Sequence, residues 1–241
     1  MKIYIVIPTY NEKENLENLV KEIFALKIEN SRVIIVDDNS PDGTGDLAEK
    51  LVENYNLSVI HRSAKQGIGS AYKQGFSLAI QNNADLIIQM DADLSHNPKD
   101  IPRLITACLK GYDIVIGSRK IKGGQIINWN LWRKFCSWGA MSFARLALNI
   151  KTKDLTAGFR CFRKEALQKI NFQNLESNGY AWLEEIIYLA EKNNLKIKEM
   201  PVVFTDRRAG QSKLGKKEIV EFFKTIFRLK FHRDVLDNFK N

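Results

Sequence analysis

The apolar positions fall into two kinds of segment that alternate along the first half of the chain. Residues 3–7, 32–36, 58–60, 86–90 and 113–117 are short runs with little polar interruption, the pattern of strands buried on both faces. Between them, apolar residues recur at the helical period of about 3.6. These are Leu16, Leu19, Val20, Ile23 and Phe24, then Leu47, Ala48, Leu51 and Val52, then residues 68–81, then Ile101, Leu104, Ile105 and Leu109. Gly75, inside the third helix, marks a close approach to the sheet. Strands alternating with helices predict right-handed βαβ crossovers, and so an α/β fold whose mostly parallel sheet carries helices on both faces.

The ligand crevice of such a sheet forms at the carboxyl ends of its strands. Four motifs sit there: PTYNE after the first strand, DDNSPDGT after the second, Asp91-Ala92-Asp93 after the fourth and Gly117-Ser118-Arg119 at the fifth. They should meet in one place. At the fourth strand an apolar run stops at two carboxylates, which in a loop can converge on one cation. Hard oxygen ligands of that kind suit Mg2+ or Mn2+, with water and a substrate diphosphate completing the shell. A D-x-D pattern alone also fits a plain polar loop. His96 borders the motif and is expected to orient it by hydrogen bonding rather than to titrate.

After Arg119 the rhythm breaks over residues 120–128 and a helix is predicted over 131–148. Trp129, Trp132 and Trp138 lie in or before it, interleaved with Arg133, Lys134 and Arg145. Rings beside cations suit the headgroup level of a bilayer, and they suit a core helix rich in large residues equally well. A helix near 180–191, a strand over 197–204 and a basic loop over 206–213 follow. From Lys216 to Arg233, Ile219, Val220, Phe222, Phe223, Ile226, Phe227 and Phe231 stand among six Lys or Arg and two Glu, as in a basic amphipathic helix. The expected organisation is a catalytic domain over 1–212 and a membrane-associating segment over 213–241.

Length and charge narrow the classes. A chain of 241 residues holds one large domain, and no window approaches the roughly 18 apolar residues of a membrane span. The first residues lead straight into a strand, leaving no room for a signal peptide, so the expected location is the cytosol, peripheral on a membrane face. Cys108, Cys136 and Cys161 lack C-x-x-C spacing and are expected to be buried, reduced thiols. The net charge of +9 suits phosphates, anionic lipid or nucleic acid. Carboxylates at the strand ends would repel a nucleic-acid backbone unless a metal intervened, which argues against a basic, non-catalytic nucleic-acid-binding protein. Gly67-Ile68-Gly69 follows the third strand and lacks the third glycine of a dinucleotide fingerprint, so an oxidoreductase is discounted.

The ordered set PTYNE, VDDNSPDGT, DAD, GSR, TAGFR and DRRAGQSK, with GGQIINWNLWRKFCSWGA between, resembles the family 2 inverting glycosyltransferases over nearly the whole chain, and within them the polyprenol or dolichol phosphate mannose synthases. The resemblance implies a GT-A fold, a divalent cation, a nucleotide sugar such as GDP-mannose and a polyprenyl phosphate acceptor drawn from a membrane surface. It implies donor contacts at Pro8, Tyr10, Glu12, Val36, Asp38, Asp91 and Ala92, with Arg207 and Lys213 on the phosphates. Asp93 matches a direct metal ligand. Ser95 falls where relatives carry a glutamine ligand, and its shorter oxygen would act through water. Arg119, Arg133 and Ser137 match acceptor-phosphate positions, with Asp91, Asp93 and Arg119 central to the chemistry. The chain departs from the pattern at Leu183, where many relatives have glutamine, while Glu185 keeps the acid. Relatives that use UDP-glucose or another UDP-sugar share most of these motifs, so that donor is the alternative. Anchoring is expected through residues 129–138 and the C-terminal helix, with a membrane-embedded partner protein as the other route.

Overall fold

The structure, a computed structural model, describes residues 1–206 and 216–231. The first apolar run is β1 (Ile3–Thr9), followed by α1 (Lys13–Ala25), β2 (Ser31–Asp37), α2 (Thr44–Val52), β3 (Leu57–His61), α3 (Ile68–Gln81), β4 (Leu86–Gln89), α4 (Ile101–Leu109) and β5 (Ile114–Ser118). Beyond it lie β6 (Gln125–Ile127), α5 (Leu131–Leu148), β7 (Arg160–Arg163), α6 (Lys164–Ile170), α7 (Trp182–Lys192), β8 (Ile197–Pro201), β9 (Val203–Thr205) and α8 (Lys216–Phe231).

The main sheet has seven strands in the order β3-β2-β1-β4-β7-β5-β8, and β6 and β9 form a separate ribbon. All pairs in the main sheet are parallel except those of β7, which runs antiparallel to both β4 and β5. Along β1 the side chains alternate between two cores, as the pleat requires. Ile3, Ile5 and Ile7 join Leu16, Leu19 and Ile23 of α1 and Leu104 of α4 on one face. Tyr4 and Val6 join Tyr72 and Phe76 of α3 and Ile186 of α7 on the other. Each buried isoleucine stabilises the sheet by about 1.5–3 kcal/mol. A Cβ at residue 75 would stand 2.3 Å from Val6 Cγ1, so α3 can lie on β1 only because that residue is glycine.

The fold expected from the pattern is present, with local differences. The segment 197–204 is two strands: β8 ends at Pro201, and beyond Val202, whose amide still donates to Ser118 O at 3.1 Å, β9 pairs with β6 instead of the main sheet. β7 lies in a stretch that reads as a polar motif, and β6 in one that reads as irregular. Val52, expected to face inward, is exposed at the end of its helix, as is Leu109, and Cys136, expected to be buried, is exposed while Cys108 and Cys161 are buried. Helix α8 packs on the domain: Ile226 and Leu229 enter the second core, the Tyr188 hydroxyl donates to Leu229 O at 3.0 Å, and Arg228 pairs with Glu185 at 3.0 Å. Among the described residues no helix is long and apolar enough to cross a membrane.

Candidate active site

The carboxyl ends of β1 and β2 are bound together side by side. Asp37 accepts hydrogen bonds from Thr9 Oγ1 at 2.9 Å and from the Ser40 amide at 3.0 Å. Asn11 and Asn39, just past the strands, adopt left-handed backbone with φ of 57°, a conformation asparagine tolerates better than most residues. These turns hold half-buried Tyr10, whose ring lies 4.3 Å from Lys65 Nζ, and place Glu12 at the start of α1, where its amide donates to Thr44 Oγ1 at 3.0 Å. Asp38 is buried and accepts from Arg62 Nη1 at 2.5 Å, and Arg62 Nη2 in turn donates to Ser70 Oγ at 2.7 Å. Burial raises the Asp38 carboxyl above its ordinary range, partly offset by the Arg62 charge. Val36 is buried in the core beneath α3, so its side chain faces away from the crevice, and Pro8 pairs with it across the β1–β2 ladder.

At the end of β4 the three residues of the DAD motif occupy one tight loop. Ser95 donates to Asp93 Oδ1 twice, through its amide at 3.1 Å and its hydroxyl at 2.5 Å, so in this arrangement the serine holds the aspartate. Leu94 between them has φ of 58°. An aliphatic residue in that region costs about 1–3 kcal/mol and persists only where surrounding bonds dictate it. Asp91 Oδ1 accepts from the Tyr72 hydroxyl at 3.2 Å, and His96 Nε2 lies 3.2 Å from Oδ2. Ala92 is buried between the two carboxylates. Among the described residues no three acidic, histidine or cysteine side chains group closely enough to hold an ion unaided. Two hard carboxylates on one loop fit a cation that takes the rest of its shell from water and a diphosphate.

Facing this loop is a basic flank. Arg119 donates from Nε and Nη2 to the two oxygens of Asp154 at 2.8 and 2.7 Å, and from Nη2 to Thr156 Oγ1 at 2.8 Å. Burial opposes both charges of this pair, yet mutual attraction outweighs it, holding the Asp154 carboxyl below and the guanidinium above their ordinary ranges. Asp91 adds to the field on Arg119. Lys120 Nζ donates to Ser137 Oγ at 3.0 Å, and burial lowers the lysine. Arg133 lies 4.0 Å over the Trp129 ring and 2.9 Å from Asp206 Oδ2. The DAD loop, Arg119, Ser137 and Arg133 are thus joined through direct neighbours, whereas Arg207 and Lys213 lie outside the described residues.

Residues 4–171 match the family described as Glycosyl transferase family 2. The chain belongs to that family. Curated relatives of this glycosyltransferase include an undecaprenyl-phosphate mannosyltransferase of Micrococcus luteus, 38% identical over 89% of this chain and 88% of the relative. A polyprenol monophosphomannose synthase of Mycolicibacterium smegmatis is 37% identical over 90% of this chain and 82% of its own length. A dolichol-phosphate mannosyltransferase of Pyrococcus furiosus is 41% identical over 95% of this chain, which spans 64% of that relative. Among solved structures, glucosyl-3-phosphoglycerate synthase of Mycobacterium tuberculosis with Mg2+ and UDP superposes with a TM-score of 0.68 over 95% of this chain and 79% of that one, at 16% identity. That likeness shows a shared GT-A fold.

Arg62, Tyr72, Lys120 and Asp154 contact the candidate site residues Asp38, Asp91, Ser137 and Arg119 but carry no motif in the sequence. Only the Arg119-Lys120 doublet gives a signal, as two cations at a strand end. Outside the crevice, α5 presents Leu131, Trp132, Phe135 and Trp138 to solvent, with Trp132 72% exposed and the rings stacked 6.0 and 6.5 Å apart. Phe143 meets Phe223 of α8 at 5.6 Å, and exposed Phe227 and Phe231 extend the apolar surface along that helix.

Proposed function

We propose that this glycosyltransferase moves a mannosyl group from GDP-mannose to a polyprenyl monophosphate, with inversion at the anomeric carbon. The curated relatives, named as polyprenyl-phosphate mannosyltransferases or synthases, support the mannosyl group and the lipid acceptor, while GDP rests on the motifs. One observation carries the acceptor: the acidic loop faces cations that lead through Lys120 and Ser137 onto the exposed aromatic face of α5. An acceptor with an anionic head and a hydrocarbon tail matches that sequence of surfaces.

A phosphate monoester oxygen is ionised at neutral pH, so no general base has to remove a proton from it. It attacks C1 of the mannose, the bond from C1 to the diphosphate breaks, and GDP departs with the electron pair. Rate then depends on alignment and on charge neutralisation. Tyr10, Glu12 and Asp38 hold the nucleoside, Asp38 being fixed by Arg62 before any ligand arrives. Mg2+ or Mn2+, held by Asp93 with Asp91 beside it, would supply Lewis-acid stabilisation of the leaving diphosphate. Arg119, through the Nη1 that Asp154 and Thr156 leave uncommitted, and Arg133, with Ser137, orient the acceptor phosphate by charge-assisted hydrogen bonds. Arg207 and Lys213 are assigned to the phosphates on the motif alone.

The exposed aromatic faces of α5 and α8 support peripheral attachment to the membrane that holds the acceptor. The deciding experiment is a donor panel of GDP-mannose, GDP-glucose and UDP-glucose against a short polyprenyl phosphate, with Mg2+ and with Mn2+. Turnover of GDP-mannose alone is expected. Preferential turnover of UDP-glucose would transfer the assignment to the UDP-sugar branch.

A further inference from the structure

Asp91 sits at the crevice with both carboxylate oxygens engaged from different parts of the fold. Tyr72, from the second turn of α3, reaches Oδ1, and His96, from the loop beyond β4, reaches Oδ2. The terminal torsion of an aspartate is broad and roughly twofold, so one partner leaves the carboxylate free to rock. Two partners on opposite oxygens fix its plane. A third side is closed by Gly158, where a Cβ would stand 2.8 Å from Oδ2.

Both partners are themselves immobile. Tyr72 is fully buried with its ring 5.7 Å from Phe76, and burial together with the Asp91 charge keeps its phenol protonated, so it always donates. His96 is buried, stacked on Phe159 at 5.2 Å and edge-on to Phe204 at 5.4 Å. Its Nδ1 is buried and meets no hydrogen-bonding partner among the described residues, which favours the tautomer with the proton on Nε2, aimed at Asp91. Phe204 continues the cluster: Arg119 lies 5.2 Å over its ring and Trp129 meets it edge-on at 6.3 Å.

We propose that Tyr72 and His96 are positioning residues for the transfer, holding the Asp91 carboxylate in one plane on the donor side while the His96 ring fixes Phe204, and with it Arg119, on the acceptor side. The proposal rests on the donor and acceptor roles assigned above. It predicts loss of alignment and of metal affinity rather than loss of acceptor binding.

The test uses Tyr72→Phe, His96→Leu and His96→Gln in the full chain. Glutamine offers an amide N–H close to the imidazole Nε2 position, whereas leucine offers none. Tyr72→Phe and His96→Leu should each lower kcat about tenfold, the cost of one mispositioned hydrogen bond, while leaving acceptor KM within about twofold. His96→Gln should recover most of the rate. Mn2+ binding in the presence of GDP and, separately, of UDP, followed by electron paramagnetic resonance, should weaken in Tyr72→Phe and His96→Leu with whichever nucleotide the wild type binds, a readout that survives if the assigned donor is wrong. Tyr72→Phe preserves shape and is expected to melt like the wild type, so it stays decisive if a His96 variant folds poorly. Wild-type kcat and Mn2+ affinity in Tyr72→Phe would overturn the clamp, and His96→Gln as impaired as His96→Leu would overturn the hydrogen-bonding role of the ring.

Discussion

Arg119 and Asp154 form a bidentate ion pair in which the aspartate is wholly buried and the arginine side chain is 7% exposed. Two further bonds, from the Arg119 amide to Asp154 at 2.8 Å and from Nη2 to Thr156, lock the guanidinium plane. A cation expected to meet a phosphate is therefore preset by a carboxylate, which spares the ligand the entropy of ordering it.

The pair makes a stability prediction. Arg119→Ala keeps the backbone amide bond to Asp154 but leaves that buried carboxylate without its ion-pair partner, which should cost about 3–5 kcal/mol in urea denaturation. Removing both charges, with Arg119→Met and Asp154→Asn together, should return much of that loss. Turnover with polyprenyl phosphate should stay abolished in both variants while GDP affinity changes little. A large fall in GDP affinity would instead assign Arg119 to the donor side.

Asp93→Asn tests the acidic loop. The change keeps shape and an acceptor oxygen for the Ser95 bonds, yet removes the charge that would face a cation. Turnover should drop by at least about a hundredfold, the scale of losing one electrostatic stabiliser of the leaving group. The melting temperature should stay within a few degrees. Full activity at saturating Mn2+ would remove Asp93 from the site.

Glu184 and Arg160 give a pH dependence. Burial raises the Glu184 carboxyl to about 8 from 4.5. Folding therefore takes up a proton, so the contribution of Glu184 to stability is complete below 4.5 and is lost as pH rises through about 8. Over that window stability falls by about 1.4 kcal/mol per pH unit, or roughly 2–4 °C for each kcal/mol. Burial also lowers Arg160, to about 10, so it titrates above the window. Asp154 has the opposite sign: its carboxyl is lowered, and its stabilisation is lost only in acid. Melting curves from pH 6 to 9 should show a falling wild-type profile and a flatter one for Glu184→Gln. Parallel profiles would exclude Glu184 as the titrating group.

Much of this arrangement is legible in the chain, for identifiable reasons. β1, β2, β4 and β5 announce themselves because burial on both faces removes polar alternation, and their loops carry chemistry at the strand ends where the fold must open. β7 is hidden, since Arg160-Cys161-Phe162-Arg163 has no apolar run and its place between β4 and β5 is fixed only by long-range pairing. Tyr72 reads as an ordinary inward helix residue, and only the packing of α3 on β1 through Gly75 brings its hydroxyl to Asp91. Asp154 lies 35 residues from Arg119, a separation no local pattern reports. Val36 shows the reverse case, a residue picked out by motif whose side chain belongs to the core.

Membrane attachment is the last prediction. A polyprenyl tail cannot leave the bilayer cheaply, because each methylene exposed to water costs about 0.8 kcal/mol, so the enzyme must reach the lipid. Trp132, Phe135 and Trp138 recur along one side of α5 and stack on one another in solvent, while Phe223, Phe227 and Phe231 recur along α8 and meet α5 through Phe143. Rings at an interface satisfy an apolar body and a polar edge together, and each nearby cation adds about 1 kcal/mol on an anionic surface. The purified chain should therefore float with anionic liposomes at low salt and float less as salt shortens the Debye length. Trp132→Ala combined with Trp138→Ala should reduce flotation at every salt concentration, yet leave turnover of a short, water-soluble polyprenyl phosphate near the wild-type rate, since neither ring reaches the acidic loop. Unchanged flotation in that variant would shift the anchor to α8 alone, and no flotation of the wild-type chain would mean that a membrane protein delivers it.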